Sequence, residues 1–313
     1  MKLINKGIHH ITSVVGDPQE NLDFYGGVLG LRMIKKTVNF DAPETYHLYF
    51  GDYQGTPGTV ITFFPWLDAP KGKIGGGQVG VTAYGVPEDS LQYWKERLTK
   101  YHIDFREESR FGEEYVGFED PHGLQIELTE RKSGPLSNYS FGGVSEEKGI
   151  KGFAGATLYS TDPENTGKLL ENLFGFEKIG EDQGLIRYQG SQDLGNIIDL
   201  KKTSEDPGTT GVGTVHHIAF RASNDQEQLA WKKLLEDKGY RVTKVRDRNY
   251  FKSIYFNENG GILFEIATEG PGFDVDESME NLGSELMLPK QYQSMREKLE
   301  QKLPKIELKE PKK

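Results

Sequence analysis

The chain of 313 residues has no cysteine, only three tryptophans and only five methionines. Without cysteine there are no disulfides and no thiolate ligands, so any metal must be held by His, Asp or Glu. Long apolar runs are also missing. None approaches the roughly 20 residues of a membrane-spanning helix, so no membrane partner is expected. The N-terminal Met-Lys-Leu-Ile-Asn-Lys-Gly lacks the apolar core of a signal peptide, and a cytoplasmic location is the expectation. Basic residues are outnumbered, 38 Lys and Arg against 48 Asp and Glu, for a net charge of −10. That balance argues against a nucleic-acid or anionic-membrane surface. Glycine is abundant instead, at 38 residues, which suits many short strands joined by tight turns.

The length allows two ordinary domains, and the pattern inside them repeats. Ile8 to Val15 reads as a strand. Asp17-Pro18-Gln19-Glu20 reads as a helix start, with Asp at the N-cap and Pro at the first helical position. The helix ends at Gly30, and strand candidates follow at 32–38, 46–50 and 59–64. A second unit offers strands at 79–84, 114–119 and 124–129 around a helix at 87–101. Lys6-Gly-Ile-His-His-Ile-Thr12 aligns with Lys151-Gly-Phe-Ala-Gly-Ala-Thr157. At the same offset Asp17-Pro18 falls on Asp162-Pro163. Gly123-Leu-Gln-Ile-Glu-Leu128 matches Gly261-Ile-Leu-Phe-Glu-Ile266. The chain therefore reads as an α+β protein of four βαβββ units. Two units fall in residues 7–131, a linker in 132–150, two more units in 151–268, and a tail in 269–313. The tail segments 278–288 and 290–303 read as helical, packing over a domain or forming a homodimer contact.

Alternate residues of a strand face one side. By that rule His10 and Thr12 share a face, as do His217 and Ala219, while His9 and His216 point away. His10 and His217 each directly precede an apolar alternation. The last strands of the four units place Thr62, Glu127, Asp199 and Glu265 at one equivalent position. If units one and two shared a barrel they would supply His10 and Glu127, leaving His217, Glu265 and Asp199 to units three and four; ligand count favours pairing one with four and two with three, where one barrel collects His10, His217 and Glu265. The other retains only Glu127 and Asp199, expected to be second-barrel polar residues or relics. Two histidines and one carboxylate make a three-ligand metal site with coordination positions to spare.

At these residues the chain resembles the vicinal oxygen chelate superfamily of glyoxalase I, fosfomycin-resistance proteins and type I extradiol dioxygenases. The resemblance covers the chain up to Thr268. It implies two open β-barrels. Ile254-Tyr-Phe-Asn-Glu-Asn-Gly-Gly-Ile-Leu-Phe-Glu265 is similar to the extradiol signature, with Asn259 where the signature has Pro and no upstream histidine in residues 246–251. Asp247-Arg248, Tyr250 to Phe256 and Gly270-Pro-Gly-Phe273 look like the Firmicutes ring-cleaving dioxygenases linked to hydroquinone and quinone detoxification. That likeness implies Fe(II), with Mn(II) or Zn(II) as alternatives, and a small catechol- or hydroquinone-like diol and O2 as partners.

On this reading Tyr255, on the strand before Glu265, hydrogen-bonds the bound phenolate. His47, two residues from Tyr49 and on its face, stands in as acid/base for the missing histidine. Arg248 is expected to be solvent-exposed unless it meets an anionic oxygen. His122, in the turn Asp120-Pro-His-Gly123, is expected to be solvated. The rival readings are a glyoxalase-type isomerase, which wants a fourth carboxylate where Thr62 stands, a metal-dependent transferase, and a binding protein that merely keeps the fold.

Overall fold

The computed structural model describes residues 3, 5–204 and 206–311. Unit one comprises β1 (Ile8–Val15), α1 (Pro18–Leu22), β2 (Arg32–Val38), β3 (Tyr46–Gly51) and β4 (Val60–Pro65). Unit two comprises β5 (Gln78–Val86), α2 (Leu91–Lys100), β6 (Phe105–Arg110), β7 (Glu113–Glu119) and β8 (Gln125–Glu130). Unit three runs through β9 (Gly152–Tyr159), α3 (Pro163–Asn172), β10 (Glu177–Asp182), β11 (Leu185–Gln189) and β12 (Ile197–Lys201). Unit four runs through β13 (Thr214–Ala222), α4 (Asp225–Asp237), β14 (Arg246–Asp247), β15 (Phe251–Asn257) and β16 (Leu263–Pro271).

The first helix starts as its residues dictate. Asp17 accepts from the backbone N–H groups of Gln19 and Glu20, and Pro18 opens the helix. Its continuation, a π-type turn over Asp23–Val28, ends before Gly30, whose φ of +70° suits a residue without a Cβ.

Among the described residues sixteen strands form two eight-stranded sheets, ordered β14-β15-β16-β13-β1-β4-β3-β2 and β10-β11-β12-β9-β5-β8-β7-β6. Unit one thus joins unit four and unit three joins unit two, giving the two curled half-barrels of the vicinal oxygen chelate fold. Each seam is antiparallel, β1 against β13 and β5 against β9. Trp94 of α2 and Trp231 of α4 are fully buried, which anchors each helix by roughly 2–3 kcal/mol of apolar burial per side chain.

β6 was not among the strand candidates. Its sequence Phe-Arg-Glu-Glu-Ser-Arg has no apolar face, because it is an edge strand with four consecutive exposed residues. The tail also departs from expectation. Residues 278–288 form a short 3₁₀ turn at Met279–Asn281 and then extended chain, with Leu286 bridging Lys36 and Met287 N–H donating to Lys36 O. Backbone bonding to the open edge of β2 wins over helix propensity there. Lys35, fully buried, meets Asp276 and Glu277 at 2.6 Å each.

The seams carry bulges. The register of β1 on β13 shifts between Ile8 and His10, and again between Thr12 and Ser13. The extra residues are His9 and His216, since Thr12 faces His217 while Ser13 faces Val215. The second sheet repeats both shifts, at Gly80 and Ala154. A bulge breaks the strict two-residue alternation of side chains.

Candidate metal centre

The seam positions the three candidate ligands. β1 puts His10 opposite Ala219 of β13, and β16, parallel to β13, puts Glu265 beside that same Ala219. His10 Nε2 lies 3.3 Å from His217 Nε2 and 3.4 Å from Glu265 Oε2. His217 Nε2 is 2.8 Å from the same oxygen. All three residues are buried, Glu265 completely.

This triangle has the dimensions of one face of a coordination shell. Two donors each about 2.1 Å from a divalent ion lie about 3.0 Å apart at a right angle and about 3.4 Å apart at the tetrahedral angle. Glu265 Oε2 is buried and makes no hydrogen bond, although two imidazole nitrogens face it. Converging lone pairs on a buried carboxylate oxygen fit a cation. Burial alone would raise the Glu265 carboxyl. His10 and His217 outweigh it and hold the group well below the usual carboxylate range. Burial lowers His217 as well, keeping it the neutral imidazole a metal needs. Ser253 Oγ donates to the other oxygen, Glu265 Oε1.

His9 and His216, set aside by strand alternation, touch the two candidate ligand histidines because the bulges turn them there. His9 Nδ1 is 2.9 Å from His10 Nδ1, and His216 Nδ1 is 2.8 Å from His217 Nδ1. The network assigns the tautomers on the first side. His9 Nε2 is 3.1 Å from Thr268 O, and a carbonyl only accepts, so that nitrogen carries the proton. Burial lowers His9 well below the ordinary value, so its Nδ1 keeps a lone pair and accepts from His10 Nδ1–H. A His10 proton held on Nδ1 by His9 gives the tautomer that ligation through Nε2 requires.

A cavity of about 220 Å³ opens on the centre. It lies below the roughly 300–1,000 Å³ usual for drug-sized ligands, so it suits one small ring. Phe64, Trp66 and Phe251 supply apolar wall; His47, Tyr49, Tyr255 and Arg248 supply polar groups. Tyr255 faces Glu265 across the β15–β16 ladder. Arg248 Nε donates to Tyr255 OH at 3.3 Å. Arg248 is therefore a cavity residue, its side chain only 18% exposed. Burial raises the Tyr255 phenol, which stays protonated at neutral pH.

His47 and Tyr49 reach the same cavity from the pseudo-equivalent hairpin. Tyr49 OH is 2.8 Å from His47 Nδ1, His47 Nε2 is 2.8 Å from Thr62 Oγ1, and Thr62 Oγ1 is 2.7 Å from Thr12 Oγ1. The fourth last-strand position thus holds a hydroxyl wired to His47 in place of a fourth carboxylate. Burial keeps His47 neutral, well below its ordinary value.

The second barrel has no donors at the histidine positions, and a different cation faces its carboxylates. Arg110 Nη2 and Nη1 donate to Glu127 at 2.5 and 3.2 Å, and its Nε donates to Asp199 at 3.1 Å. Arg187 holds both Asp199 oxygens at 2.8 Å. His122 is not solvated. It is buried, and its Nε2 accepts the Asp17 N–H at 3.1 Å, joining the turn of unit two to the first helix of unit one.

Sequence reasoning missed Ser253, the bulged histidines and Arg110. Ser253 had a usable signal: two residues before Tyr255, it shares a strand face with it.

A paired βαβββ scaffold with a buried two-histidine, one-carboxylate cluster under a small aromatic cavity defines the vicinal oxygen chelate class. The model of the Glyoxalase/Bleomycin resistance protein/Dioxygenase superfamily matches residues 7–128 and 152–266, and the chain belongs to that superfamily. It is 55% identical over 304 residues, 97% of each chain, to the Bacillus subtilis protein named "Putative ring-cleaving dioxygenase MhqO". It is 36% identical over 304 residues, 94% of each chain, to the chlorohydroquinone/hydroquinone 1,2-dioxygenase of Sphingobium indicum. A crystal structure of a Bacillus subtilis protein superposes with a TM-score of 0.98 at 54% identity, covering 99% of this chain and 100% of the other. Glyoxalase I of Zea mays, at 14% identity and a TM-score of 0.62 over 84% of this chain and 92% of its own, shares the fold alone.

Proposed function

We propose that this chain is an Fe(II)-dependent, extradiol-type ring-cleaving dioxygenase for small hydroquinone- or catechol-like aromatics. His10, His217 and Glu265 are its metal ligands, and Tyr255, His47 and Tyr49 its catalytic groups. The observation that carries the reading is the triangle of three buried donor atoms, 2.8–3.4 Å on a side, at the base of a cavity walled by aromatics. The names of the relatives at 55% and 36% identity support ring cleavage and a hydroquinone-type substrate. Mn(II) and Zn(II) are the alternative metals.

Held by His10, His217 and Glu265, Fe(II) would supply Lewis acidity toward the diol and electron transfer to O2. The residues do the rest. Phe64, Trp66 and Phe251 exclude water and hold the ring. Tyr255, its oxygen fixed by Arg248, donates a hydrogen bond to the oxygen that gains negative charge. His47 Nε2 takes the proton shed by a ring hydroxyl through Thr12 and Thr62, with Tyr49 bracing its Nδ1. A glyoxalase-type isomerase is disfavoured by Thr62, which stands where that chemistry wants a carboxylate.

The test is anaerobic purification with metal analysis, then O2 uptake with hydroquinones and catechols for the wild type and His217→Ala. One iron per chain and diol-dependent O2 uptake, both lost in the variant, are expected. Bound metal without O2 uptake on any diol refutes the dioxygenase reading. Absence of metal in a protein exposed to Fe(II), Mn(II) and Zn(II) refutes the site.

A further inference from the structure

We propose that Asp41 is a charge filter at the mouth of the cavity, selecting uncharged aromatic diols over ring-carboxylated ones. The inference rests on the reading of the cavity as an aromatic-diol site. The loop between β2 and β3 contributes Asn39, Phe40, Asp41 and Ala42 to the cavity lining. It is held in place from several sides. Asn39 Oδ1 accepts from Asp41 N–H at 2.9 Å and Ala42 N–H at 3.2 Å, and Asn39 N–H donates to Thr45 O. The C-terminal segment braces the loop, with Tyr292 OH donating to Phe40 O at 2.8 Å. Just beyond it, Tyr46 OH donates to Pro304 O at 3.0 Å.

So fixed, Asp41 faces unit four across the mouth. Its Oδ2 is 3.5 Å from Arg248 Nη1 and its Oδ1 is 3.5 Å from Arg246 Nη1. Arg248 is the one Lys or Arg among the residues lining the cavity. Its inner edge is turned to Tyr255 and its outer edge to Asp41. A guanidinium is the natural receptor for a carboxylate, which it grips with two parallel hydrogen bonds. Here one Asp41 oxygen already stands 3.5 Å from Nη1 at the outer edge. A ring carboxylate approaching that edge beside a hydroxyl comes up against its negative charge. A neutral diol needs only the inner edge and Tyr255, and meets no such repulsion.

Asp41 is 65% exposed, so solvent and salt screen the effect and its size is modest. Equilibrium binding of hydroquinone and of 2,5-dihydroxybenzoate to the metal-loaded protein, measured anaerobically by calorimetry at low ionic strength, reads the filter without turnover. Asp41→Asn should improve binding of the carboxylated diol relative to hydroquinone by at least about threefold, Asp41→Lys by about tenfold, and 0.5 M salt should shrink both gains. A ratio within twofold of the wild type in both variants overturns the filter while leaving the dioxygenase reading standing. Failure of the wild type to bind hydroquinone at all overturns both.

Discussion

Replacing Arg110 with methionine tests the idea that a protein cation stands, in the second barrel, where the first barrel offers a candidate metal site. The side chains of Arg110 and Glu127 are 6% and 4% exposed, and both Glu127 oxygens accept from Arg110. Methionine fills the volume but leaves Glu127 charged, buried and unpaired. Removing one partner of a buried ion pair costs roughly 3–5 kcal/mol, which in a protein of this size lowers Tm by roughly 5–8 °C. Asp199 does not share the fate of Glu127, since Arg187 still grips both its oxygens. The double variant Arg110→Met/Glu127→Met, with no stranded charge, should therefore recover to within about 1–2 kcal/mol of the wild type. Urea unfolding at pH 7.5, followed by circular dichroism, gives the numbers. A single variant within 1 kcal/mol of the wild type, or a double variant no more stable than the single, would refute the account.

Two further outcomes follow from the contacts around the first barrel. Ser253→Ala frees Glu265 Oε1 from the hydroxyl that orients it, and metal affinity in a chelator competition should fall about 10-fold or more; unchanged affinity would show that Ser253 does not position the ligand. Burial lowers folded His122 below 6.5, whereas in the unfolded chain it titrates near that value. Between the two values the unfolded chain binds the extra proton, so this contribution to stability is complete above about pH 6.5 and is lost as pH falls. His122→Asn, measured in chelator, should accordingly lose less Tm than the wild type between pH 7.5 and 5.5, and an equal loss would refute the assignment.

Much of this was legible in the chain itself. The offset of 145 residues that carries Lys6 to Lys151 also carries Asp17-Pro18 to Asp162-Pro163, so the repeat announces the four βαβββ units. Counting donors by unit favoured the pairing of one with four, which is the pairing the sheets adopt. The same count brought together His10, His217 and Glu265, the three residues whose donor atoms lie within 4.8 Å of one another. Local readings succeeded wherever a residue's own backbone decides its role, as at the Asp17 cap and at Gly30. The reading of 278–288 as helix failed because that segment bonds to an edge strand about 250 residues earlier.

The sequence determined the repeat, the position of the strands with an apolar face and the donors available to a cysteine-free centre, because periodicity and capping are properties of neighbouring residues. The tertiary structure alone decided which side chains point where at the seams. The register of β1 on β13 joins residues some 200 positions apart, and its two bulges bring His9 and His216 onto His10 and His217 against simple alternation. It also decided that Arg110 and Arg187 meet the carboxylates of the second barrel, and that Asp41 reaches Arg248 across the mouth of the first. Each of these contacts depends on the packing of distant strands, which no local pattern of residues encodes.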